Sequence, residues 1–266
     1  MSAHKLKSFE LKIACIFSFI EPEVAILYLF SCLAAQDKNT ENILFIGNSF
    51  TFYWNLPLVV EAMANERNYK FDITQSTASA SSLKDHWFEK DDLKSKMLIA
   101  SGNYDRVVLQ DHSLNPLQNP VESRMYFTDF IEWIKANNGT PYIYATWMYK
   151  GISNKNYDVV DPIQHALKPV ADKTGVVMAP IDQAFRIFQQ RYPTIPIFMS
   201  DNKHPSPVGT YLAACVYFRI FTGESPLGLS RRYERKDENG KKVFLGMIEK
   251  SSAKICQEIV DEILSD

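Results

Sequence analysis

The chain has 266 residues, 46% of them hydrophobic and 23% charged, with a formal net charge of -2. This length suits one α/β domain with a full core, and the ordinary balance of apolar and charged residues excludes disorder over most of it. The small negative charge leaves no basic excess to neutralise phosphates, which argues against nucleic acid as a partner.

The first element is a targeting segment. Lys5, Lys7 and Lys12 precede an apolar stretch that covers 13–20, Glu21-Pro22-Glu23 follows it, and a second apolar run covers 24–35 up to Ala34-Ala35. A positive start, an apolar stretch and small residues at its end are the parts of a secretory signal. The Glu-Pro-Glu break argues against a stable membrane span, which needs about 20 apolar residues with few charges. Leu29-Phe30-Ser31-Cys32 has a faint likeness to a lipoprotein processing box. The competing reading is a buried amphipathic helix. We expect residues 1–36 to direct export, to a periplasmic, cell-surface or secreted location rather than the cytoplasm, and residues 37–266 to form the working domain.

From there strands and helices alternate. A short apolar strand over 42–46 runs into Gly47-Asn48-Ser49, and apolar residues at Leu56, Val59, Val60 and Met63 predict a helix over 56–67. A strand over 70–74, a small-residue loop over 76–82, a helix over 91–100 and a buried strand over 106–110 follow. The amphipathic stretch 123–137 predicts a helix stopped by Asn138-Gly139; with Thr140 these residues also match a glycosylation acceptor, but the helix stop explains them. Next come a strand over 141–146, a helix over 161–173 with Asp161 as N-cap and Pro162 in its first turn, a strand over 176–179 and a helix over 182–191. Helices over 206–221 and 252–264 flank a charged stretch over 231–245, where Asn239-Gly240 signals a surface hairpin. Alternating strands and helices predict one parallel sheet covered on both faces.

Of the four cysteines, Cys15 and Cys32 fall in the targeting segment, and Cys215 and Cys256 sit in apolar helical patterns. Two buried thiols is the simplest reading of the latter pair, with a disulfide as the alternative. No CxxC and no cluster with zinc-ligand spacing is present. GxSxG, GxGxxG, phosphate-loop and HExxH patterns are absent too.

Two stretches carry chemistry. Gly47-Asn48-Ser49 places a serine at the carboxyl end of a parallel strand, where open α/β sheets bind ligands. On its own it reads as a turn capping a helix. Asp201-Asn202-Lys203-His204, followed by Pro205 and a helix, offers what a serine hydroxyl needs near neutral pH: a histidine base, oriented by a carboxylate. Alone, that pair reads as a loop carboxylate and a surface imidazole. Together, in this order along one predicted sheet, the two stretches are far more specific.

In these blocks the sequence resembles the SGNH (GDSL-like) hydrolase superfamily, and more narrowly a branch that reads FIGNSFT near the start and LQxxS after the third strand. The resemblance covers 42–223. It implies a three-layer α/β/α sandwich with a central parallel sheet, flavodoxin-like, and an esterase, lipase, thioesterase or carbohydrate O-deacetylase needing no metal or other cofactor. It makes Ser49 the nucleophile and Asp201 and His204 the orienting carboxylate and base. The oxyanion hole it implies consists of the Ser49 and Ala80 N–H groups with the Gln110 side chain, Asn115 being the second choice. Two departures stand out. Ala80 occupies a position where relatives often carry glycine, and is strained if φ there is positive; Gln110 replaces an asparagine.

Asn48, His86, Trp87 and His112 are candidates to line the substrate pocket, with structural roles as the alternative for the histidines. A metal site built from His86, His112 and His204 has little in its favour. Trp54, Trp87, Trp147 and Tyr149 follow predicted strands and could stack on a sugar ring, although packing is the commoner role. The expected activity is acyl transfer from a small-molecule or carbohydrate ester to water, most specifically removal of carbohydrate O-acetyl groups. The alternatives are a lipase or thioesterase for longer acyl chains, and a carbohydrate-binding protein that kept the fold and lost turnover.

Overall fold

The computed structural model describes residues 40–149 and 160–265. The segment read as an export signal, with His4, Cys15 and Cys32, lies outside them. Five strands, β1 (Glu41–Gly47), β2 (Phe71–Thr77), β3 (Arg106–Leu109), β4 (Thr140–Tyr144) and β5 (Val177–Ala179), form one parallel sheet in the order β2-β1-β3-β4-β5. This is the flavodoxin-like winding, with its switch point between β1 and β3. Around it run helices α1 (Ser49–Phe52), α2 (Leu56–Glu66), α3 (Leu83–Trp87), α4 (Ser95–Ala100), α5 (Asn115–Gln118), α6 (Pro120–Ala136), α7 (Pro162–Thr174), α8 (Ile181–Arg191), α9 (Pro207–Thr222) and α10 (Lys250–Ile263).

The period of two along each strand divides the core. Ile43, Phe45, Val108, Tyr142 and Tyr144 face one layer, built from α2, α8, α9 and α10. Leu44, Ile46, Val107, Leu109 and Ile143 face the other, built from α3, α4, α6 and α7. The three-layer sandwich is thus realised. Helix α9 is apolar on nearly every side because it lies between the sheet and α2 and α10; Cys215 on it and Cys256 on α10 are buried and free. The hairpin of β6 (Arg232–Lys236) and β7 (Lys242–Met247) turns at Asp237, with Gly240 at φ 76°. Among the described residues no helix is long and apolar enough to cross a membrane.

Three local expectations need correction. The helix over 91–100 shrinks to Ser95–Ala100, because Asp91 and Asp92 take positive φ (53° and 62°) in a separate short turn. The loop over 76–82 begins later, since β2 continues to Thr77 beside Gly47. Asp161 does not cap α7 with its side chain; the carboxylate instead holds Arg186 through two N–H···O bonds of 2.7 and 3.1 Å.

Candidate active site

The carboxyl ends of β1, β2 and β3 open at the switch point, and the serine turn sits there. Asn48 is the N-cap of α1, its side-chain oxygen accepting from Phe50 N at 3.1 Å, and Ser49 is the first helical residue. Position 47 must be glycine: a Cβ there would lie 2.5 Å from Thr51 Oγ1 and closer still to Gln110 Oε1. Ser49 Oγ stands 2.8 Å from His204 Nε2, and His204 Nδ1 stands 2.5 Å from Asp201 Oδ2. Asp201 Oδ1 accepts from the backbone N–H groups of Lys203 (2.9 Å) and His204 (3.0 Å). Burial works against the Asp201 carboxylate, but its bonds to His204 and to these amides hold its pKa below the usual range. The carboxylate therefore keeps the imidazole proton on Nδ1 and leaves Nε2 to face the serine. The three residues expected from sequence do come together.

Aromatic rings fix the histidine. Tyr53 stacks on His204 with centroids 4.4 Å apart and planes 13° apart, and Phe50 meets it edge-on at 5.4 Å. Phe50 stacks in turn on Trp147 (4.7 Å), and Trp147 on Phe185 (4.1 Å), a column running from the site into the core. Trp147 also donates its indole N–H to Lys203 O at 3.1 Å, and Trp54 donates to Pro205 O at 3.1 Å, so both tryptophans brace the histidine loop.

A cleft of about 250 Å³ opens over Ser49; its walls include Asn48, Ala80, His112, Ser113, Lys203 and His204. The N–H groups of Ser49 and Ala80 have no hydrogen-bond acceptor among the described residues, which leaves both for an oxyanion. Ala80 has φ 58°, so the strain foreseen for alanine is present.

Four expected site residues lie elsewhere. Gln110 is fully buried behind the serine turn: its Oε1 accepts from Asn48 N and Thr51 Oγ1, both at 2.9 Å, and its Nε2 donates to Asp111 O. Its amide shapes the turn and does not face the cleft. Asn115 donates to Asp111 Oδ1 at 3.3 Å and is not on the cleft wall. His86 is fully buried, bonded to Gly47 O (2.9 Å), Ser81 Oγ (3.0 Å) and Ser95 Oγ (2.7 Å), and burial lowers its pKa to about 4. Trp87 packs edge-on against Phe130 at 5.1 Å, with Lys96 over its face. Asn48 and His112 do line the cleft, although the Asn48 amide nitrogen is turned to Ser81 O (2.9 Å) and Asp111 O (3.4 Å). Among the described residues no group of three or more His, Cys, Asp or Glu side chains is placed to hold a metal ion.

Sequence reasoning missed Tyr53, Ser113 and Lys203. Two weak signals pointed to them: Tyr53 follows Ser49 by about one helical turn, and Lys203 sits inside the Asp-x-x-His spacing itself.

At the level of sequence, the chain matches no family profile and no curated protein. Its fold does have solved relatives. One is a candidate SGNH hydrolase from Slackia heliotrinireducens, 24% identical over 69% of this chain and 100% of that one, with a TM-score of 0.56. A DUF4886 family protein from Bacteroides uniformis is 17% identical over 85% and 96% of the two chains, with a TM-score of 0.66. A mutant of an acetyl-xylooligosaccharide esterase from Geobacillus Stearmophilus is 16% identical over 69% and 95%, with a TM-score of 0.54. These likenesses establish that the chain has the SGNH hydrolase fold.

Proposed function

We propose that the protein is a serine ester hydrolase that passes a small acyl group through Ser49 to water. What carries this reading is the unbroken hydrogen-bond chain from Asp201 through His204 to Ser49, with spans of 2.5 and 2.8 Å, beside the backbone N–H groups of Ser49 and Ala80, which have no acceptor among the described residues. In the reaction His204 Nε2 takes the hydroxyl proton as Ser49 Oγ attacks the ester carbonyl. The negative oxygen then sits against the N–H groups of Ser49 and Ala80. His204 returns the proton to the leaving alcohol, and water activated by the same nitrogen cleaves the acyl-enzyme. Neither Gln110 nor Asn115 supplies a side-chain donor, so transition-state stabilisation rests on backbone N–H groups, with His112 and Ser113 as the other donors lining the cleft.

The finer reading is a carbohydrate acetyl ester. It is supported by the modest cleft volume, by the aromatic rings of Phe52 and Tyr53 on its wall, and by the fold shared with an acetyl-xylooligosaccharide esterase. The test compares p-nitrophenyl acetate, p-nitrophenyl octanoate and acetylated xylo-oligosaccharides with wild type, Ser49→Ala and His204→Ala. We expect acetate to be turned over in preference to octanoate, and each variant to lose roughly 10³-fold or more in kcat/KM. Folded variants that match wild type would refute the serine mechanism; a preference for octanoate would refute the acetyl reading.

A further inference from the structure

Lys203 lies between the two ends of the Asp201–His204 pair, yet the loop is held without its side chain. Its N–H donates to Asp201 Oδ1 at 2.9 Å and its carbonyl accepts from Trp147 at 3.1 Å. The side chain turns into the cleft, where its ammonium lies 5.4 Å from the Tyr149 ring centroid and 6.0 Å from that of Phe50. Aromatic faces orient a cation at little desolvation cost and leave its outer side for a second partner. Among the described residues no carboxylate pairs with it, and none of the residues lining the cleft is acidic.

The acids nearby are already engaged. Asp201 is bonded to His204. Asp111 is buried, and accepts from Leu83 N, His112 N, Asn115 Nδ2 and Ser123 Oγ at 2.7–3.3 Å, the shortest from Ser123. Burial raises the Asp111 pKa, so its negative charge is disfavoured there. Burial and the Lys203 charge lower the pKa of His112, so at neutral pH His112 presents one N–H donor. The cleft thus holds an ammonium, a neutral imidazole and the Ser113 hydroxyl, in a protein whose net charge is -2.

Direction follows from the chemistry already argued. The leaving alcohol must take its proton from His204, so the alcohol part lies on the His204 side of Ser49, while the carbonyl oxygen points to Ala80. Lys203 is next to His204 in the chain. We propose that the cleft selects esters whose alcohol part bears a carboxylate, such as an acetylated sugar acid, with Lys203 as counter-ion and His112 and Ser113 as hydrogen-bond donors. The ester part of this statement rests on the hydrolase reading above; the carboxylate part is tested apart from turnover.

The experiment uses the Ser49→Ala protein and two probes alike except in charge, the methyl glycosides of acetylated galacturonic acid and of acetylated galactose, measured by calorimetry. At low salt the carboxylate probe is expected to bind roughly five- to tenfold more tightly, with the difference shrinking as salt rises. Adding Lys203→Met should bring the ratio close to one, and Lys203→Arg should restore most of it. Equal affinities for the two probes would overturn the proposal, as would a ratio that survives Lys203→Met. Turnover by wild type separates the two readings: hydrolysis without charge preference removes the carboxylate site and keeps the esterase, whereas charge-selective binding without hydrolysis of either probe keeps the site and removes the esterase.

Discussion

Ala80 combines a backbone N–H to which the proposed mechanism gives the oxyanion with an unfavourable conformation. Its φ is 58°, a region where a Cβ crowds the following carbonyl. Ala80→Gly removes that crowding, and although glycine is the more flexible residue unfolded, the left-handed site should still favour it by about 1 kcal/mol. Thermal denaturation should show a rise of roughly 2–4 °C; a fall would mean the alanine methyl makes a contact worth more than the strain. His86 is a second residue whose behaviour follows from its place. It is neutral in the fold because burial lowers its pKa from 6.5 to about 4, while its hydrogen bonds tie Gly47 to Ser81 and Ser95. Between those two values the unfolded chain binds a proton that the folded chain refuses. The stability this group confers is present above pH 6.5 and declines as pH falls toward 4, by up to about 3 kcal/mol. Urea midpoints measured at neutral pH and near pH 4 should show that decline in wild type and much less of it in His86→Gln.

At the scale of elements, α9 sets the position of the histidine loop. Ser206 caps it, accepting from Val208 N and Gly209 N at 3.2 and 3.3 Å while donating to Pro196 O at 2.8 Å. Gly209 lets the helix approach the chain before it: a Cβ there would lie 2.5 Å from Ile197 O and 3.1 Å from Phe185 Cζ. Gly209→Ala is therefore expected to cost about 1–3 kcal/mol, by forcing α9 away from that carbonyl and ring. Because His204 lies just ahead of the helix, the same variant should also lower esterase kcat; a variant as stable as wild type would contradict the packing. This contact was invisible in the sequence, where Gly209 is one small residue in an apolar run. The strands, by contrast, were legible, because a fully buried parallel strand reads as a continuous apolar stretch, as in Ile43-Leu44-Phe45-Ile46. The Ser49–His204–Asp201 set was legible for a related reason, being tied to the ends of such elements. Gln110 misled because the chain leaves β3 at Leu109: the turn that follows tucks Gln110 under the serine loop, and His112 and Ser113, further along, reach the cleft. His86 misled because the depth of a loop histidine depends on how tightly the chain after β2 folds back. Lys203 was overlooked because the role proposed for it depends on no carboxylate among the described residues pairing with it, which is a property of three dimensions.

In the molecule as a whole, the sheet order β2-β1-β3-β4-β5 gathers the site from distant parts of the chain. The serine follows the first strand, Ala80 the second and His112 the third, while the base arrives only after β5 and α8. The Phe50–Trp147–Phe185 column belongs to the core on one face of the sheet, and Phe50 meets His204 edge-on, so the base is seated against that core and not merely against a loop. Ser49 and His204, 2.8 Å apart in space, are 155 residues apart in the chain. That separation imposes an order in time. A nascent chain that has completed its first strands carries the nucleophile but no base, and an unactivated serine hydroxyl is a feeble reagent. On the proposed reading, hydrolytic power therefore arises late, once residues 201–204 have been synthesised and His204 has come within reach of Ser49, and the growing polypeptide is inert toward esters until then.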